Sequence, residues 1–202
     1  MTAHEVSVKQ GFTITFHSRF RVGAAYPLDG VDVVTDLREP LPADHLKGLM
    51  RAEAHRLLDI PIERSTASPS RTLIEDVFGT PQRPCVWSWS PVEPFGGGWI
   101  APEVTSRVSI DDTTGAATRD LLVMGTTTYA ATARFAVVSD LAVDPVQLAL
   151  LRLCGRSVHH VGAWRRRGLG WVGVVPDDPD PGVSADWKAV QEWLALREVA
   201  SQ

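Results

Sequence analysis

Three groups of residues in this 202-residue sequence have types and spacings that could do chemistry. The first is the run Arg165, Arg166 and Arg167, followed by Gly168 and Gly170, in the stretch GAWRRRGLGWVGVV that begins at Gly162. Glycines let a ligand approach the backbone and its N–H groups, and arginines present forked donors that match phosphate oxygens. The same spacing also serves, more commonly, as a tight turn between a helix and a strand. The second group is Lys47, Arg51 and His55, spaced by four and so expected to share one stripe of a helix. Lys47 falls in the first helical turn, where the helix dipole disfavours a cation, a placement that makes sense when an anion is shared between the side chain and the helix N-terminus. A plain solvated face explains the stripe equally well. The third group is Asp29, Asp32, Asp36 and Glu39 in YPLDGVDVVTDLREP. Carboxylates clustered on a loop can bind a hard cation or handle a proton, or can simply keep the loop in water.

Histidines add little. His159 and His160 are adjacent, so in a strand they would face opposite ways and could not chelate one metal together. His17 alternates out of phase with Phe12, Ile14 and Phe16. Any of them could act as a general acid or base, although a lone histidine is more often structural. The sequence has no serine nucleophile elbow, no H-E-x-x-H and no Walker motif.

The elements that must position these groups follow from periodicity. Residues 6–22 alternate like a half-buried strand, with Val6, Val8, Phe12, Ile14, Phe16 and Phe20 in one phase. DHLKGLMRAEAHRLLD predicts a helix with Asp44 as its N-cap. LIEDVFGT reads as a short helix stopped by Gly79, and CVWSWS as a strand. A long hairpin follows, with one strand through Ile110, a turn at DDTTG and a return strand alternating through Tyr129, Ala131, Ala133, Phe135 and Val137. Its middle is too polar for core, which predicts a projecting arm. Asp144 and Pro145 open a helix, PVQLALLRLC, expected to close at Gly155. GWVGVV is the last strand, PDDPDPG a linker, and SADWKAVQEWLALREV an amphipathic helix with Trp187, Val190, Leu194 and Leu196 as packing residues. The order strand, helix, strands, helix, strand predicts a ferredoxin-like α+β domain with its hairpin extended.

Hydrophobic content of 44% with 22% charged residues is that of a globular chain. The formal net charge of -4 argues against indiscriminate nucleic-acid binding while leaving room for a local basic patch. Two distant cysteines, Cys85 and Cys154, indicate neither a disulfide framework nor a zinc site. With no apolar signal core and no run of membrane-spanning length, the expected location is the cytoplasm, away from any membrane.

Taken in order, RVGA at the end of the first strand, the acidic loop, HLKGLMR, VFGT before VWSWS, the hairpin RVSIDDTTGAATRDLLVMGTTTYAATARF and the late GAWRRRGLGWV resemble the RAMP superfamily. The likeness is to the backbone subunits of type III CRISPR effector complexes and runs through about residues 6–176. It implies a modified RNA-recognition fold over residues 1–176, with a thumb at about 103–138, followed by the linker and C-terminal helix over 177–202. It also implies a guide RNA held by Lys47, Arg51, Gly162, Arg165, Arg166, Arg167, Gly168 and Gly170. The thumb tip would comprise Asp111, Asp112, Thr113, Thr114 and Arg119, pressing between the guide and a complementary target RNA. Adjacent RAMP subunits and other members of the complex would be its partners in antiviral defence. In members that cut target RNA, an aspartate after the first strand supports cleavage with Mg2+ or Mn2+; Asp32 matches that place best and Asp29 second. This chain departs from the family's usual proline-glycine-serine turn before the helix, with Ala43 and Asp44 there instead. Two other readings stand beside this one: a metal-independent guide-processing endoribonuclease using His17, His45 or His55, and a non-enzymatic module for a small phosphate-bearing ligand.

Overall fold

The computed structural model describes residues 7–24, 30–61 and 67–200. Val6 and Asp29, both singled out in the sequence, lie outside the described residues.

The first strand, β1 (Val8–Phe16), buries Phe12, Ile14 and Phe16 on one face, as its alternation requires. It pairs antiparallel on one side with β6 (Thr132–Ser139), in a register that sets Phe12 opposite Phe135 and Ile14 opposite Ala133. On its other side it pairs antiparallel with β7 (Val172–Pro176). The outer edge of β6 carries two short strands, β2 (Ser88–Trp89) and β3 (Glu93–Phe95). CVWSWS therefore yields only two strand residues, Ser88 and Trp89, and Pro91, which has no N–H to donate, lies in the break before β3. The order β2/β3–β6–β1–β7, with helices between β1 and β2 and between β6 and β7, is the ferredoxin-like arrangement.

Helices α1 (Ala43–Leu57), α2 (Pro69–Phe78) and α3 (Pro145–Ser157) close the core over the apolar sheet face. Leu46, Met50 and Ala54 of α1, Leu73, Ile74 and Val77 of α2, and Leu150, Leu151 and Leu153 of α3 are buried there with the Phe12–Phe135 stack, whose centroids are 4.9 Å apart. Two helix boundaries differ from expectation. Pro42, and not Asp44, is the N-cap of α1; Asp44 sits in the first turn, where its carboxylate favours the dipole. Asp144 caps α3 as expected, accepting the Val146 N–H at 3.1 Å, but α3 runs past Gly155 to Ser157. Gly155 is a packing glycine: a Cβ there would stand 2.5 Å from the Phe12 ring.

The hairpin consists of β4 (Ile100–Ile110) and β5 (Ala117–Tyr129), which form a sheet of their own. The expected return strand through Val137 is thus two strands. The chain turns at Ala130 and Ala131, where the Phe16 N–H donates to the Ala131 carbonyl at 3.1 Å, and only then enters the central sheet as β6. Small residues keep the alternation in phase across the corner and so hide it from a periodicity reading. The hairpin accordingly covers Ile100–Tyr129, in place of 103–138.

The last helix, α4 (Val183–Ala200), folds back onto α3. Val190 is buried and Trp187 and Leu194 are partly so, whereas Leu196 is 74% exposed and does not pack as expected. Buried Asp186 anchors the helix, accepting from Arg152 Nε at 3.0 and 3.1 Å and from Arg156 Nη1 at 3.1 Å. No helix among the described residues is long and apolar enough to cross a membrane.

Candidate nucleic-acid interface

The arginine run forms a single 3-10 turn, Arg165–Arg167, framed by Trp164 at φ 63° and Gly168 at φ 81°. All three arginines are exposed. The turn lies against the hairpin: Arg167 Nη2 donates to the Val108 carbonyl of β4 at 3.4 Å. Arg107, next along β4, is exposed as well.

What holds this loop in place explains two of its glycines. The Ala163 N–H donates to the Arg21 carbonyl, and the Gly170 N–H to the Arg19 carbonyl, each at 2.8 Å. A Cβ at Gly162 would collide with the Arg21 carbonyl oxygen, and one at Gly170 with the Val161 carbonyl oxygen. Both residues also have positive φ, 73° and 77°. The close approach that requires glycine at 162 and 170 is therefore to the chain's own backbone. Gly168 differs, with open space where a Cβ would be and only its φ to favour glycine.

The second group does not stay together. Lys47 Nζ donates to Cys85 Sγ at 3.1 Å and lies 5.1 Å from the centroid of the Trp89 ring, so its ammonium is turned toward β2. Arg51, half-buried on the same stripe, makes no hydrogen bond or ion pair with a described residue. His55 leaves the polar face altogether: it is buried, with Nδ1 3.0 Å from the Ile60 carbonyl at the helix end. The α1 residue that reaches the arginine–glycine loop is His45, whose Nε2 accepts the Gly162 N–H at 2.9 Å. Positions 45 and 47 are about 200° apart around a helix, so Lys47 points away from that contact.

The acidic segment is stitched to the hairpin root. Val33 bridges Gly125 in parallel, the Asp32 N–H donates to the Met124 carbonyl at 2.9 Å, and Asp32 Oδ2 accepts the Met124 N–H at 2.7 Å. Thr35 and Thr126 exchange two further bonds at 2.7 and 2.9 Å. Asp32 is exposed, with one carboxylate oxygen committed to β5. No group of three His, Cys, Asp or Glu among the described residues could hold a metal ion. Asp32 would thus supply a single carboxylate, which suits only a largely hydrated Mg2+ or Mn2+ whose other ligands come from a bound phosphate.

At the hairpin tip Asp111 accepts the N–H groups of Thr113 and Thr114 at 3.1 and 2.8 Å and the Thr114 hydroxyl at 2.9 Å. The Thr114 backbone bond, first among these, holds the Asp111 carboxyl below its ordinary pKa. Asp112 and Arg119 are exposed, the latter 3.9 Å from Asp120. Along one face of the arm, Val104, Ser106 and Val108 stand opposite Thr126, Met124 and Leu122. Val104 is 51% and Leu122 58% exposed, whereas Val108 and Met124 are half-buried and Thr126 is buried.

Sequence reasoning overlooked Arg21, Arg107 and Trp164. RVGA had drawn notice only as a strand end. Nothing in a strand pattern says that the residue after Phe20 is buried beneath a loop more than a hundred positions away.

No family model and no curated protein matches this sequence. Among solved structures, a chain in the cryo-EM structure of the Type III-B Cmr-beta bound to cognate target RNA matches with a TM-score of 0.61 at 11% identity, over 84% of this chain and 97% of that one. A chain of the Type III-B Cmr-beta apo state matches with a TM-score of 0.60 at 11% identity, over 85% and 98%. The fold is the same. It bears out the ferredoxin-like expectation, and the chains that share it come from Type III-B Cmr-beta structures.

Proposed function

We propose that this chain is a guide-RNA-binding backbone subunit of a type III-like CRISPR ribonucleoprotein effector complex, acting in antiviral defence beside adjacent RAMP subunits. The observation that carries the reading is the position of Arg165–Arg167. Three exposed cations sit beside a projecting hairpin, against β4 at Val108, in a fold shared with nearly the whole of a chain from an assembly bound to target RNA. Arginines on a surface turn neutralise phosphates without reading bases, and sequence is then left to pairing between guide and target. Exposed Val104 and Leu122 give the arm apolar side chains against which unstacked bases can rest. Lys47 and Arg51 contribute on the other side of α1 from His45. For Lys47 this requires exchanging a thiol partner for a phosphate.

Asp32 carries the finer reading, Mg2+- or Mn2+-assisted cleavage of target RNA at the hairpin root. The histidine-based alternative is weaker, because His45 and His55 are both engaged inside the protein and His17 alone of the three is exposed. Small-ligand binding is not favoured by arginines splayed on an exposed turn.

Co-purification tests the proposal. Expressed with its natural neighbours, the chain should carry a small RNA of uniform length, which is lost when Arg165, Arg166 and Arg167 are replaced by alanine. Isolation without RNA would sink the reading.

A further inference from the structure

Arg21 is only 6% exposed, yet Nε and Nη1 of its guanidinium are enclosed without a hydrogen-bond partner among the described residues. Three other guanidinium groups have carboxylate partners: Arg152 and Arg156 share Asp186, and Arg19, two residues before Arg21, pairs with Glu103 at 2.8 Å. Among the described residues, the charge acting on Arg21 is Arg107, another cation; burial first and Arg107 second lower its pKa. An arginine stays protonated even so, and a buried charge without a counter-charge is costly.

The surroundings are built to hold this group. The guanidinium carbon lies 4.0 Å from the centroid of the Trp164 ring, a cation–π contact that recovers part of the cost. Trp164 reaches it from a left-handed backbone, φ 63°, which a bulky residue adopts only when its surroundings enforce it. Gly125 of β5 forms the floor, where a Cβ would stand 2.5 Å from Nη1. Nη2 is the nitrogen left outside the enclosed set.

We infer that Arg21, stacked on Trp164 and flanked by Arg107, forms an anion pocket at the hairpin root that takes a backbone phosphate of single-stranded RNA. The inference rests on the RNA-binding reading and names a contact beyond the arginine turn. The ligand chemistry, a phosphate oxygen facing the charged Nη2 donor, is shared with free pyrophosphate, so both serve as probes.

The test measures binding of a fluorescein-labelled single-stranded RNA by anisotropy over a salt series, and melting with and without RNA or pyrophosphate. Arg21→Met should lose about tenfold or more in affinity, the size of one charge-assisted contact. Its logarithmic salt slope should shrink by about 0.7. Without ligand it should melt at or above the wild-type temperature, because an uncompensated buried charge is gone; a purely structural arginine predicts the reverse. Arg107→Ala, on an exposed strand, is the second variant and should weaken binding by a smaller factor. Unchanged affinity and slope in both variants would overturn the pocket. So would a lower melting temperature for Arg21→Met with normal binding. If wild type is stabilised by pyrophosphate and Arg21→Met is not, while neither binds RNA, the pocket stands and the RNA reading falls. If neither probe affects wild type, the pocket falls too.

Discussion

His45 Nε2 accepts the Gly162 N–H at 2.9 Å, tying the first turn of α1 to the start of the arginine–glycine loop across 117 residues of sequence. The bond needs a neutral imidazole, and burial lowers the His45 pKa in the direction that keeps it neutral. A histidine whose pKa is lower folded than unfolded gives stability that is complete above the unfolded value, about 6.5, and is lost as pH falls toward the folded value. We expect the melting temperature to decline as pH drops below about 6.5. His45→Gln should flatten that part of the profile, and His45→Ala should cost about 1 kcal/mol at neutral pH. A wild-type profile identical to that of His45→Gln would refute this.

The three loop glycines should separate cleanly in urea denaturation. Gly162→Ala and Gly170→Ala force a Cβ into a backbone carbonyl at positive φ, and each should destabilise by more than about 3 kcal/mol. Gly168→Ala meets open space and bears only the cost of its φ, roughly 1 kcal/mol, with asparagine cheaper still. Equal effects at all three positions would contradict the close contacts at 162 and 170.

On the proposed reading, Asp32 has two separable jobs. Asparagine keeps an oxygen to accept the Met124 N–H but removes the charge, whereas alanine removes both. In an assembled complex supplied with Mg2+ or Mn2+, Asp32→Asn should abolish target cleavage and leave RNA affinity within about twofold, since the loss belongs to the transition state. Asp32→Ala should in addition loosen the loop and lower the melting temperature. Cleavage that persists in Asp32→Asn would remove the metal role and leave the pinning role.

Asp186 is the test of how α4 is attached. Its carboxylate is 1% exposed and answers both Arg152 and Arg156. Asp186→Ala leaves two guanidinium groups without it and should cost about 3–5 kcal/mol. Increased proteolysis of residues 183–200 should accompany the loss. Full retention of stability would show that apolar packing of Trp187, Val190 and Leu194 suffices.

Much of the architecture could be read from the sequence because it rests on local rules. The strict alternation around Phe12, Ile14 and Phe16, the Asp144–Pro145 helix start and the Gly79 stop depend on neighbours a few residues away, and they gave the ferredoxin-like order. The polar DDTTG tip likewise disclosed a projecting arm. Tertiary packing decided the rest. Alternation continues in phase through Ala130 and Ala131, so only the competition between two sheets for the chain sets the corner there. Helical spacing put His55 on a stripe with Lys47 and Arg51, but the turn at Asp59 and Ile60 folds over it and buries it. Glycines read as openings for a ligand proved, at 162 and 170, to be openings for the chain's own carbonyls, because a Cβ clash depends on which backbone happens to lie opposite. Arg21 is the extreme case: one charged residue beside Phe20 carries no sequence sign of burial. It became conspicuous only when Trp164, Gly125 and Arg107, drawn from three distant segments, closed around it without supplying a counter-charge.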